Sequence, residues 1–590
     1  MTAPTERRGH GRHVAIGVVV ALLLILLPLG WLGPRSSQAA SAAGSLAVTA
    51  DLLRADASRG DIAAVARGIT TLKSQASLLH ELTGGPLWAV ATHLPVVGAR
   101  ASAAREIGSI ADRLATAAAP LADLLPRLDN RALAAAGGRL DVAAIAALGP
   151  VLTTLATSMA QAAHDIEAIN RDGLSGGQVG QLASLRNALV DAKEPLSATA
   201  AVLPMIAHLL GSDGARTWFV ALQNLAEARG NGGIVGAYAL LHTDSGKVTL
   251  VEAASRKKLD AGPRIPDGNL PQEFRELWGG DATLWADMNL SPHFPYSAQL
   301  ILNGWAARGG APLDGVVAID QNLVAALLSG TGPVTVRGIS VDAASAVQFL
   351  TRDVYARFPV VADKDAVVVE FVQAVFMRLA AGQVSLAPLL KALRANDSQG
   401  HFMLWSARGD EQMRIEQYSV AGVLPDTPGP FAMAVINNGA GNKLDAYTEV
   451  TLDYRQGQCA APVRTSQIHV TVHNSAPASG LPAYVQGRLD LPQELQATAP
   501  QGSNKVLLSV YGTAGSTNGL TTVDGEEIGV PVGLERGHPV WRVDLVLLPG
   551  QTRTVDIEMI ESVDPATAAT VGVQPMAIPQ VVHLSPCTRP

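Results

Sequence analysis

The sequence predicts a multidomain protein with an N-terminal transmembrane helix, an α-helical juxtamembrane region, a central α/β domain and a C-terminal β-sandwich. Three observations support this fold class. An uncharged apolar run fills residues 14–32 after a tail at 1–13, helical periodicity dominates 35–211, and strand-like alternation dominates 429–590. Between these regions, residues 212–428 alternate strands with helices. A chain of 590 residues with 48% hydrophobic content can form several separate cores.

The charge balance argues against nucleic acid as a partner. The chain carries a formal net charge of -7 and has a pI near 6.0. Non-specific nucleic-acid binding depends on a positive field, which this chain lacks overall. We therefore expect no nucleic-acid partner.

The apolar run VAIGVVVALLLILLPLGWL predicts the compartment. As a helix it extends about 29 Å, enough to cross a bilayer core. Arg7, Arg8 and Arg12 precede it, and positive residues stay on the cytoplasmic side. We expect a single-pass protein of the cell membrane, with its N-terminus in the cytoplasm and the bulk of the chain outside. The alternative is a cleaved signal peptide, because QAASAAG downstream offers small residues at a suitable spacing.

Apolar residues at three- and four-residue intervals, as in ITTLKSQASLLHEL, predict amphipathic helices in the juxtamembrane region. Glycines at Gly84, Gly137 and 173–177 divide this region into several antiparallel helices. One break, PLWAVATHLPVVG, is almost uncharged and too short to span a membrane. It either dips into the outer leaflet with Trp88 at the interface or forms a buried connection between helices.

The central domain begins with RTWFVALQN and YALLHT, which are typical of strands, and SGK predicts a tight turn before the strand VTLVEAAS. LDGVVAID predicts a short buried strand, and QNLVAALLSG a helix that Gly330 ends. SVDAASAVQFLTRDVYARF predicts an amphipathic helix with Ser340 as its N-cap. KDAVVVEFVQAVFMRLAAG predicts a second such helix.

The C-terminal region alternates apolar and polar residues in YTEVTLDY, QIHVTVHN, KVLLSVYG, WRVDLVLL and TRTVDIEM, as a β-sandwich does. Ile468, Val470 and Val472 are expected to face its core. The chain has two cysteines, Cys459 and Cys587. In an exported protein they are expected to form a disulfide, with two buried thiols as the alternative.

Two glycine-rich stretches resemble catalytic or nucleotide-binding motifs, but the first fails on spacing and the second on structural context. In NLAEARGNGGIVGAYALL, a dinucleotide fingerprint that starts at Gly230 requires glycine at position 235, where Val235 stands. GLSGG matches the nucleophile-elbow pattern around Ser175 but follows a helical segment, which indicates an interhelical turn. The 13 histidines include no pair spaced for metal ligation on one helix face, which argues against a zinc enzyme.

Cationic and acidic residues collect in and after the strands of the central domain. Arginine and lysine at strand ends suit a phosphate or pyrophosphate group, because a guanidinium contacts two oxygens at once. The alternative is a solvated surface with scattered ion pairs. These residues are Arg229, Arg256, Lys257, Lys258, Asp287, Asn289, Arg352 and Arg357.

Several segments in order resemble an exported bacterial family called domain of unknown function DUF4012. The segments are LQNLAEARGNGGIVGAYALLHTDSGKVTL, LWADMNLSPHFPYSAQL, LDGVVAIDQNLVAALLSGTGPVTV and NNGAGNKLDAYTEVTLDY, which together cover about 216–454. The resemblance implies a membrane anchor and a helical juxtamembrane region. It implies no activity, because none is established for that family.

A more distant resemblance links GAYALLHTDSGKVTLVEAASRKKL and LDGVVAIDQNLVAALLSGTGPVTV to the LytR-CpsA-Psr family. That family consists of membrane-anchored phosphotransferases that move glycopolymers from polyprenyl-pyrophosphate carriers onto peptidoglycan, with arginines around the pyrophosphate and acids for Mg²⁺. The resemblance implies that Arg256 matches the motif arginine and that Arg352 and Arg357 match the helix arginines.

This sequence departs from the LytR-CpsA-Psr pattern at three places. Gly236 stands where an acid is expected, Lys257 replaces the aspartate after the motif arginine, and Lys364 is the only cation near the missing Arg-Gln run. Asp287 or Asp320 could supply a metal ligand from another strand end. A phosphoryl-transfer site without acids for a metal loses charge neutralisation, so the scaffold can persist without the reaction.

The LytR-CpsA-Psr resemblance implies a catalytic site and binding partners. A second hypothesis about the function stays open beside it. The expected catalytic residues are Arg256 and Arg352, which the resemblance implies, and Asp287; no metal ligand is assigned, and Mg²⁺ is the implied cofactor. The implied partners are the membrane, a polyprenyl phosphate lipid and a cell-wall polymer. The alternative is a non-enzymatic envelope scaffold. The residues expected to bind the ligand are Glu227, Arg229, Arg256, Asn289, Arg352 and Arg357.

The placement of three arginines separates these hypotheses. Arg256, Arg352 and Arg357 within one apolar-walled groove would favour lipid-phosphate binding. Dispersed arginines would argue against it.

Overall fold

The computed structural model describes residues 34–94, 97–129, 137–172, 174–381, 392, 399–426, 429–459, 463–564 and 566–587. The chain forms two compact units. Unit 1 comprises residues 1–215, 243–248 and 381–387. Unit 2 comprises residues 216–242, 249–380 and 388–590, and so contains both the central α/β region and the C-terminal sheets.

Unit 1 is helical, as the three- to four-residue periodicity predicts. Its core consists mainly of alanine, leucine and isoleucine side chains from successive helices. The helices are α1 (Pro34–Arg59), α2 (Ile62–Gly84), α3 (Pro86–Ala91), α4 (Gly98–Ala118), α5 (Val142–Ala168) and α6 (Gly176–Leu209), with short helical turns at Leu121–Leu124 and Leu125–Leu128.

Ser175, the centre of the GLSGG stretch, is the N-cap of helix α6. Its side chain accepts a hydrogen bond from the Gln178 backbone N–H, and the Gln178 side chain accepts one from the Ser175 backbone N–H. This reciprocal arrangement satisfies two amide groups that a helix start leaves without partners. The interhelical interpretation of this motif is therefore confirmed, and the nucleophile-elbow interpretation is not.

Replacing Ser175 with alanine is expected to destabilise the start of α6 by about 1 kcal/mol, because the Gln178 amide loses its acceptor. Hydrogen exchange of the first turn of α6, measured by mass spectrometry, reports this local change. Ser184→Ala is the matched control, since the Ser184 hydroxyl only donates to the Gly180 carbonyl within the same helix. Equal exchange in both variants would contradict the capping role.

The first part of the PLWAVATHLPVVG break, residues 86–94, forms α3 and the turn after it. Trp88 is among the largest fully buried side chains and belongs to the core of unit 1. Leu87 and Val90 on the same short helix are exposed. The structure therefore supports the buried connection and places Trp88 in the core instead of at a membrane interface.

Within the described residues, α5 is long and apolar enough to cross a membrane by length and composition. One side of it packs against α4 and α6, and Ala144, Leu148 and Ala156 on it are buried. A core helix of a soluble bundle has the same composition, so α5 is weak evidence for a membrane anchor. The predicted transmembrane helix at 14–32 lies outside the described residues.

A five-stranded mixed sheet organises the central region of unit 2, in the order β3-β2-β1-β4-β7. β1 and β4 are parallel, with Trp218 opposite Gly315 and Leu222 opposite Ile319, and β7 is antiparallel to β4. The predicted strand-turn-strand and the short buried strand are confirmed. The strands are β1 (Arg216–Arg229), β2 (Gly232–Asp244), β3 (Lys247–Ser255), β4 (Gly315–Ile319), β5 (Val334–Val336), β6 (Ile339–Val341) and β7 (Phe402–Ser406).

Helices cover both faces of this sheet. Phe219 and Ala221 on β1 pack into one core with α8, and Ala226 packs into a second core with α9, α10 and α11. Odd and even positions of a strand point to opposite faces, so the two cores lie on opposite sides of β1. The helices are α7 (Gln272–Trp278), α8 (Phe294–Ala307), α9 (Gln321–Thr331), α10 (346–357), α11 (Val361–Ala380) and α12 (Gly409–Ile415).

Two predicted helix boundaries in this region were wrong. Ser340 lies in strand β6, and α10 begins at Ala346 after Ser345. Ser340 pairs with Thr335 across a short hairpin, which removes it from the helix. Gly330 lies inside α9, which continues to Thr331 before Gly332 adopts a positive φ.

The C-terminal part of unit 2 contains two β-sheets, of six and five strands, in the orders β13-β12-β16-β10-β9-β18 and β14-β15-β11-β8-β17. Ile468, Val470 and Val472 on β10 are fully buried, as alternation predicts, in a core that includes residues from both sheets. The strands are β8 (Phe431–Asn438), β9 (Thr448–Arg455), β10 (Val463–Asn474), β11 (Asn504–Tyr511), β12 (Thr517–Val523), β13 (Glu526–Glu527), β14 (Val532–Glu535), β15 (His538–Leu547), β16 (Thr552–Ser562), β17 (Thr570–Gly572) and β18 (Val581–Ser585).

Short helical turns connect the elements of unit 2. They lie at Lys257–Asp260, Asp281–Thr283, Ser419–Ala421, Leu444–Tyr447, Ala483–Gln486 and Gln493–Gln496.

Cys459 and Cys587 form a disulfide, as the number and compartment of the cysteines predict. Cys459 follows β9, and Cys587 follows β18, which pairs with β9 in parallel. The bridge therefore links an edge strand to its neighbour.

Candidate functional site

A pocket lies in unit 2 where β4 ends and α9 begins. It encloses about 640 Å³, counting the open space at its mouth. Ligand sites in α/β sheets commonly lie beyond the carboxyl ends of strands, as this pocket does. We call it the sheet pocket. Its apolar wall includes Leu222, Ile319, Val324, Leu350, Val368 and Phe371.

Three polar side chains form one hydrogen-bonded group in the lining of the sheet pocket. Asn224 Nδ2 donates to Tyr355 Oη at 2.5 Å, and Gln321 Nε2 donates to Asn224 Oδ1 at 3.2 Å. Burial raises the pKa of Tyr355 to about 12, so its hydroxyl is neutral and keeps a proton to donate at neutral pH. The lining thus combines apolar contact with oriented hydrogen-bonding groups.

In the described part of the chain, three charged residues line the sheet pocket, namely Lys364, Asp365 and Asp320. Lys364 Nζ donates to Asp365 and lies 5.9 Å from the centre of the Tyr355 ring. Lys257 approaches the same carboxylate at 3.3 Å, and the Ser255 hydroxyl donates to it at 3.2 Å. Burial raises the pKa of Asp365, but the two lysines outweigh it and hold this pKa below its usual value. Lys364 is the cation among the described residues of the lining, and the two lysines together balance the carboxylates of Asp365 and Asp320, which also lines the pocket.

Gly236, which replaces the acid of the LytR-CpsA-Psr pattern, lies in the sheet pocket lining. A Cβ at this position would meet only Asn224 Cβ, at 3.9 Å, which is an ordinary contact. The Gly236 carbonyl accepts a hydrogen bond from the Arg256 backbone N–H at 3.1 Å. A larger residue than glycine would therefore fit at this position. Compared with the acid of the LytR-CpsA-Psr pattern, Gly236 leaves the pocket with one negative charge fewer.

The three arginines expected to hold a pyrophosphate are not among the described residues that line the sheet pocket. Arg256 pairs with Asp260 at 3.0 Å. Arg352 donates to the Ala446 carbonyl and lies over the Tyr447 ring at 4.2 Å. Arg357 is exposed. Among its described residues the sheet pocket therefore holds no arginine clamp, and the ligand-binding and catalytic roles of the three arginines stay predictions.

Glu227 and Arg229, which were expected to bind a ligand, lie in a buried ion network. Arg229 Nη2 contacts Glu227 at 2.9 Å and Asp287 at 2.8 Å, and Lys443 donates to the other Glu227 oxygen. Burial raises the pKa of Glu227, but Lys443 and Arg229 outweigh it and lower this pKa to about 2. The network joins β1 to the segment after β8, which gives these charges a structural role.

Asn289 and Asp445 extend this buried network. Asn289 Nδ2 donates to the Gly233 carbonyl at 2.9 Å and to Asn231 at 3.2 Å. Asp445 accepts from the Ala228 backbone N–H at 2.7 Å, and burial raises its pKa. The predicted ligand-binding role of Asn289 stays a prediction, because its amide already bonds the β1–β2 turn.

The glycines of NLAEARGNGGIVGAYALL permit close backbone approach. A Cβ at Gly230 would lie 2.0 Å from the Leu290 carbonyl oxygen, and one at Gly233 would lie 2.1 Å from that of Asn224. Neither contact is sterically allowed, so glycine is required at both positions. The stretch forms the tight turn between β1 and β2, and the rejection of a nucleotide-binding loop agrees with this geometry.

The residues do not fit the implied Mg²⁺ cofactor. In the described part of the chain, no three His, Cys, Asp or Glu side chains gather in a group that could hold a metal. Asp287 contacts Arg229, and Asp320 caps α9 while it contacts His401 at 2.6 Å. Both predicted carboxylates thus have protein partners, and we assign no step to a metal.

Comparison with known proteins identifies one segment. Residues 213–355 match the family model described as protein of unknown function (DUF4012). No curated protein and no solved structure matches the chain. The DUF4012 segment contains β1 to β4, Gly236, Arg256 and Arg352, and it ends before Lys364 and Lys443. It therefore covers only part of the sheet pocket and of the buried ion network.

Sequence reasoning missed several residues of both features. Asn224, Tyr355 and Asp365 carried no expected role, and Lys364 was noted only as a nearby cation. Lys443 lies in NNGAGNKLDAY, which the DUF4012 resemblance included without assigning it a function. A lysine and an aspartate side by side at a helix start were the available signal for the pocket, but that pattern is common on protein surfaces.

Proposed function

We propose that the central α/β region binds a phosphorylated isoprenoid lipid in the sheet pocket. One observation carries the proposal: an apolar wall and a polar group containing Tyr355 and Lys364 line the same pocket. The isoprenoid would contact the apolar wall, and its phosphate would accept hydrogen bonds from the Lys364 ammonium and the Tyr355 hydroxyl. The LytR-CpsA-Psr resemblance supports this ligand class, with Lys364 in place of the three arginines.

The proposal stops at binding and does not include phosphoryl transfer. Metal-assisted transfer requires carboxylates that hold the metal and neutralise developing charge. The candidate acids Asp287 and Asp320 are occupied by protein partners. A lipid-linked cell-wall polymer remains the proposed partner, and its transfer needs groups that this pocket does not present among its described residues.

We also propose a single-pass, extracytoplasmic placement in the cell envelope. The apolar run at 14–32, with its preceding arginines, supports a membrane anchor with the N-terminus in the cytoplasm. The Cys459–Cys587 disulfide supports an oxidising compartment for the C-terminal region. The shared core of the two C-terminal sheets supports the predicted β-sandwich.

A non-enzymatic envelope scaffold is the second candidate function. The partners of two predicted ligand-binding arginines favour it, because Arg256 and Arg352 contact protein groups. A scaffold needs a stable connection between its central and C-terminal regions, which the buried Glu227 network provides within unit 2. Ligand binding at Lys364 distinguishes the two candidates.

Replacing Lys364 with methionine is expected to weaken the binding of farnesyl phosphate about tenfold, because one charge-assisted hydrogen bond is lost. The full-length protein is placed in phosphatidylcholine nanodiscs and titrated with radiolabelled farnesyl phosphate. Farnesol, which lacks the phosphate, is expected to bind both forms equally. Lys258→Met is the matched control, since Lys258 is exposed and contacts Glu252 at 2.6 Å.

Two outcomes would count against this function. Undetectable farnesyl phosphate binding by the unaltered protein would leave the scaffold as the better account. A loss of binding in Arg256→Gln and Arg352→Gln, without one in Lys364→Met, would instead restore the arginine site that the resemblance implies.

A further inference from the structure

Unit 1 contains a second, larger pocket between its helices. It encloses about 1170 Å³, counting the open space at its mouth. Side chains from α1, α2, α4, α5 and α6 line it, and we call it the helix pocket. Its larger lining residues are Leu46, Leu53, Leu72, Leu114, Leu155 and Met159.

Alanines keep the helix pocket open. Ala76, Ala111 and Ala115 line it from α2 and α4, where leucine or isoleucine would fill the space. These three residues are buried. Protein interiors are normally close-packed, so a space of this size among apolar side chains is typical of a ligand site.

Among the described residues that line the helix pocket, Arg54 is the only charged one. Its Nη2 atom is buried and has no hydrogen-bond partner. Its Nη1 atom lies 3.6 Å from Asp51, whose carboxylate is 60% exposed, so this ion pair leaves the buried nitrogen unsatisfied. A buried guanidinium N–H without an acceptor is costly, and an anionic ligand group would satisfy it.

We propose that the helix pocket binds a single-chain anionic amphiphile, with its hydrocarbon chain among the leucines and its anionic group on Arg54. The apolar lining selects a long chain, and the single cation selects a negative head over a neutral or positive one. Either a fatty carboxylate or a lipid phosphate has this chemistry. The inference concerns unit 1 and is independent of the function proposed for the sheet pocket.

The test uses the full-length protein in phosphatidylcholine nanodiscs and a diazirine analogue of dodecanoate. After photolysis, mass spectrometry of peptides is expected to place the label on segments of α1 and α4 that line the helix pocket. Unlabelled dodecanoate and dodecyl phosphate are expected to compete, whereas dodecyl alcohol and dodecyltrimethylammonium compete at least about tenfold less well. Competition by only one of the two anions identifies the head group.

Arg54→Gln is expected to weaken labelling about tenfold, and Ala115→Phe is expected to abolish it by filling the pocket. Arg67→Gln, an exposed arginine on α2, is the matched control and should label normally. Circular dichroism checks that each variant keeps its helix content. If Ala115→Phe does not fold, Arg54→Gln and the competitor series still decide the result.

Labelling outside the helix pocket, or equal competition by dodecyl alcohol and dodecanoate, would overturn the proposal. So would unchanged labelling in Arg54→Gln. Sedimentation of the same samples detects another occupant: self-association that Ala115→Phe abolishes, with no labelling of the pocket, would identify a contact between two copies.

Discussion

Replacing Lys443 with methionine is expected to destabilise unit 2 by about 3 to 5 kcal/mol, because it leaves the buried Glu227 carboxylate with one cation instead of two. Lys443 and Glu227 are both almost fully buried and hydrogen-bonded to each other. The free energy of unfolding is measured by urea denaturation, followed by tryptophan fluorescence. Unit 2 supplies the buried Trp218, Trp278, Trp285 and Trp541.

The same variant is expected to change the acid stability of unit 2. The pKa of Glu227 is depressed to about 2 from a usual 4.5, so its contribution is fully present above about pH 4.5 and is lost as the pH falls towards 2. Without Lys443 this pKa rises, and acid unfolding should begin at a higher pH. The acid midpoint therefore reports the ion network separately from simple loss of packing.

Lys505→Met is the matched control for Lys443→Met. Lys505 contacts Asp544 at 3.1 Å, but the aspartate side chain is 62% exposed. A solvated pair of this kind contributes at most about 1 kcal/mol. Equal effects of the two lysine substitutions, or an unshifted acid midpoint in Lys443→Met, would show that Glu227 does not depend on Lys443.

Replacing both Cys459 and Cys587 with alanine is expected to cost about 4 to 5 kcal/mol, because the bridge closes a long loop and restricts the unfolded chain. The two residues are 128 positions apart. The rate of hydrogen exchange should rise most in β18. This strand lies at the edge of the six-stranded sheet, and among the described strands it pairs only with β9. Chemical denaturation of the C-terminal sheets measures the total effect.

Reduction of the unaltered protein is the control for the double alanine variant. Both forms lose the same covalent link, so their unfolding midpoints and their β18 exchange should agree. If mass spectrometry shows complete reduction while the midpoint stays unchanged, the bridge contributes nothing to stability. A larger effect in the double variant than on reduction would point to the packing of the cysteine side chains instead.

The sequence was most informative where a pattern repeats along one segment. The alternation of Ile468, Val470 and Val472 predicts a buried strand face, which the structure confirms. The GLSGG stretch predicts an interhelical turn, and Ser175 within it precedes the first residue of α6. Both inferences require only the pattern of neighbouring residues, which short-range sterics relate to local structure.

The candidate site was less predictable because its members come together over long distances in sequence. Glu227 meets Lys443, which is 216 positions away, and Asn224 meets Tyr355, which is 131 positions away. No local pattern pairs such residues. The choice between a ligand-binding and a structural role for Glu227 depends on which cations fold against it.

The sequence by itself determined the order of the helical, α/β and β-rich regions, the turn at SGK between two strands, and the number of available thiols. Only the tertiary structure decided that Glu227 and Arg229 are buried, that Arg352 turns towards Tyr447, and that Lys364 lines the sheet pocket. The reason is physical: secondary structure follows from neighbouring residues, whereas burial and charge pairing follow from contacts between distant segments.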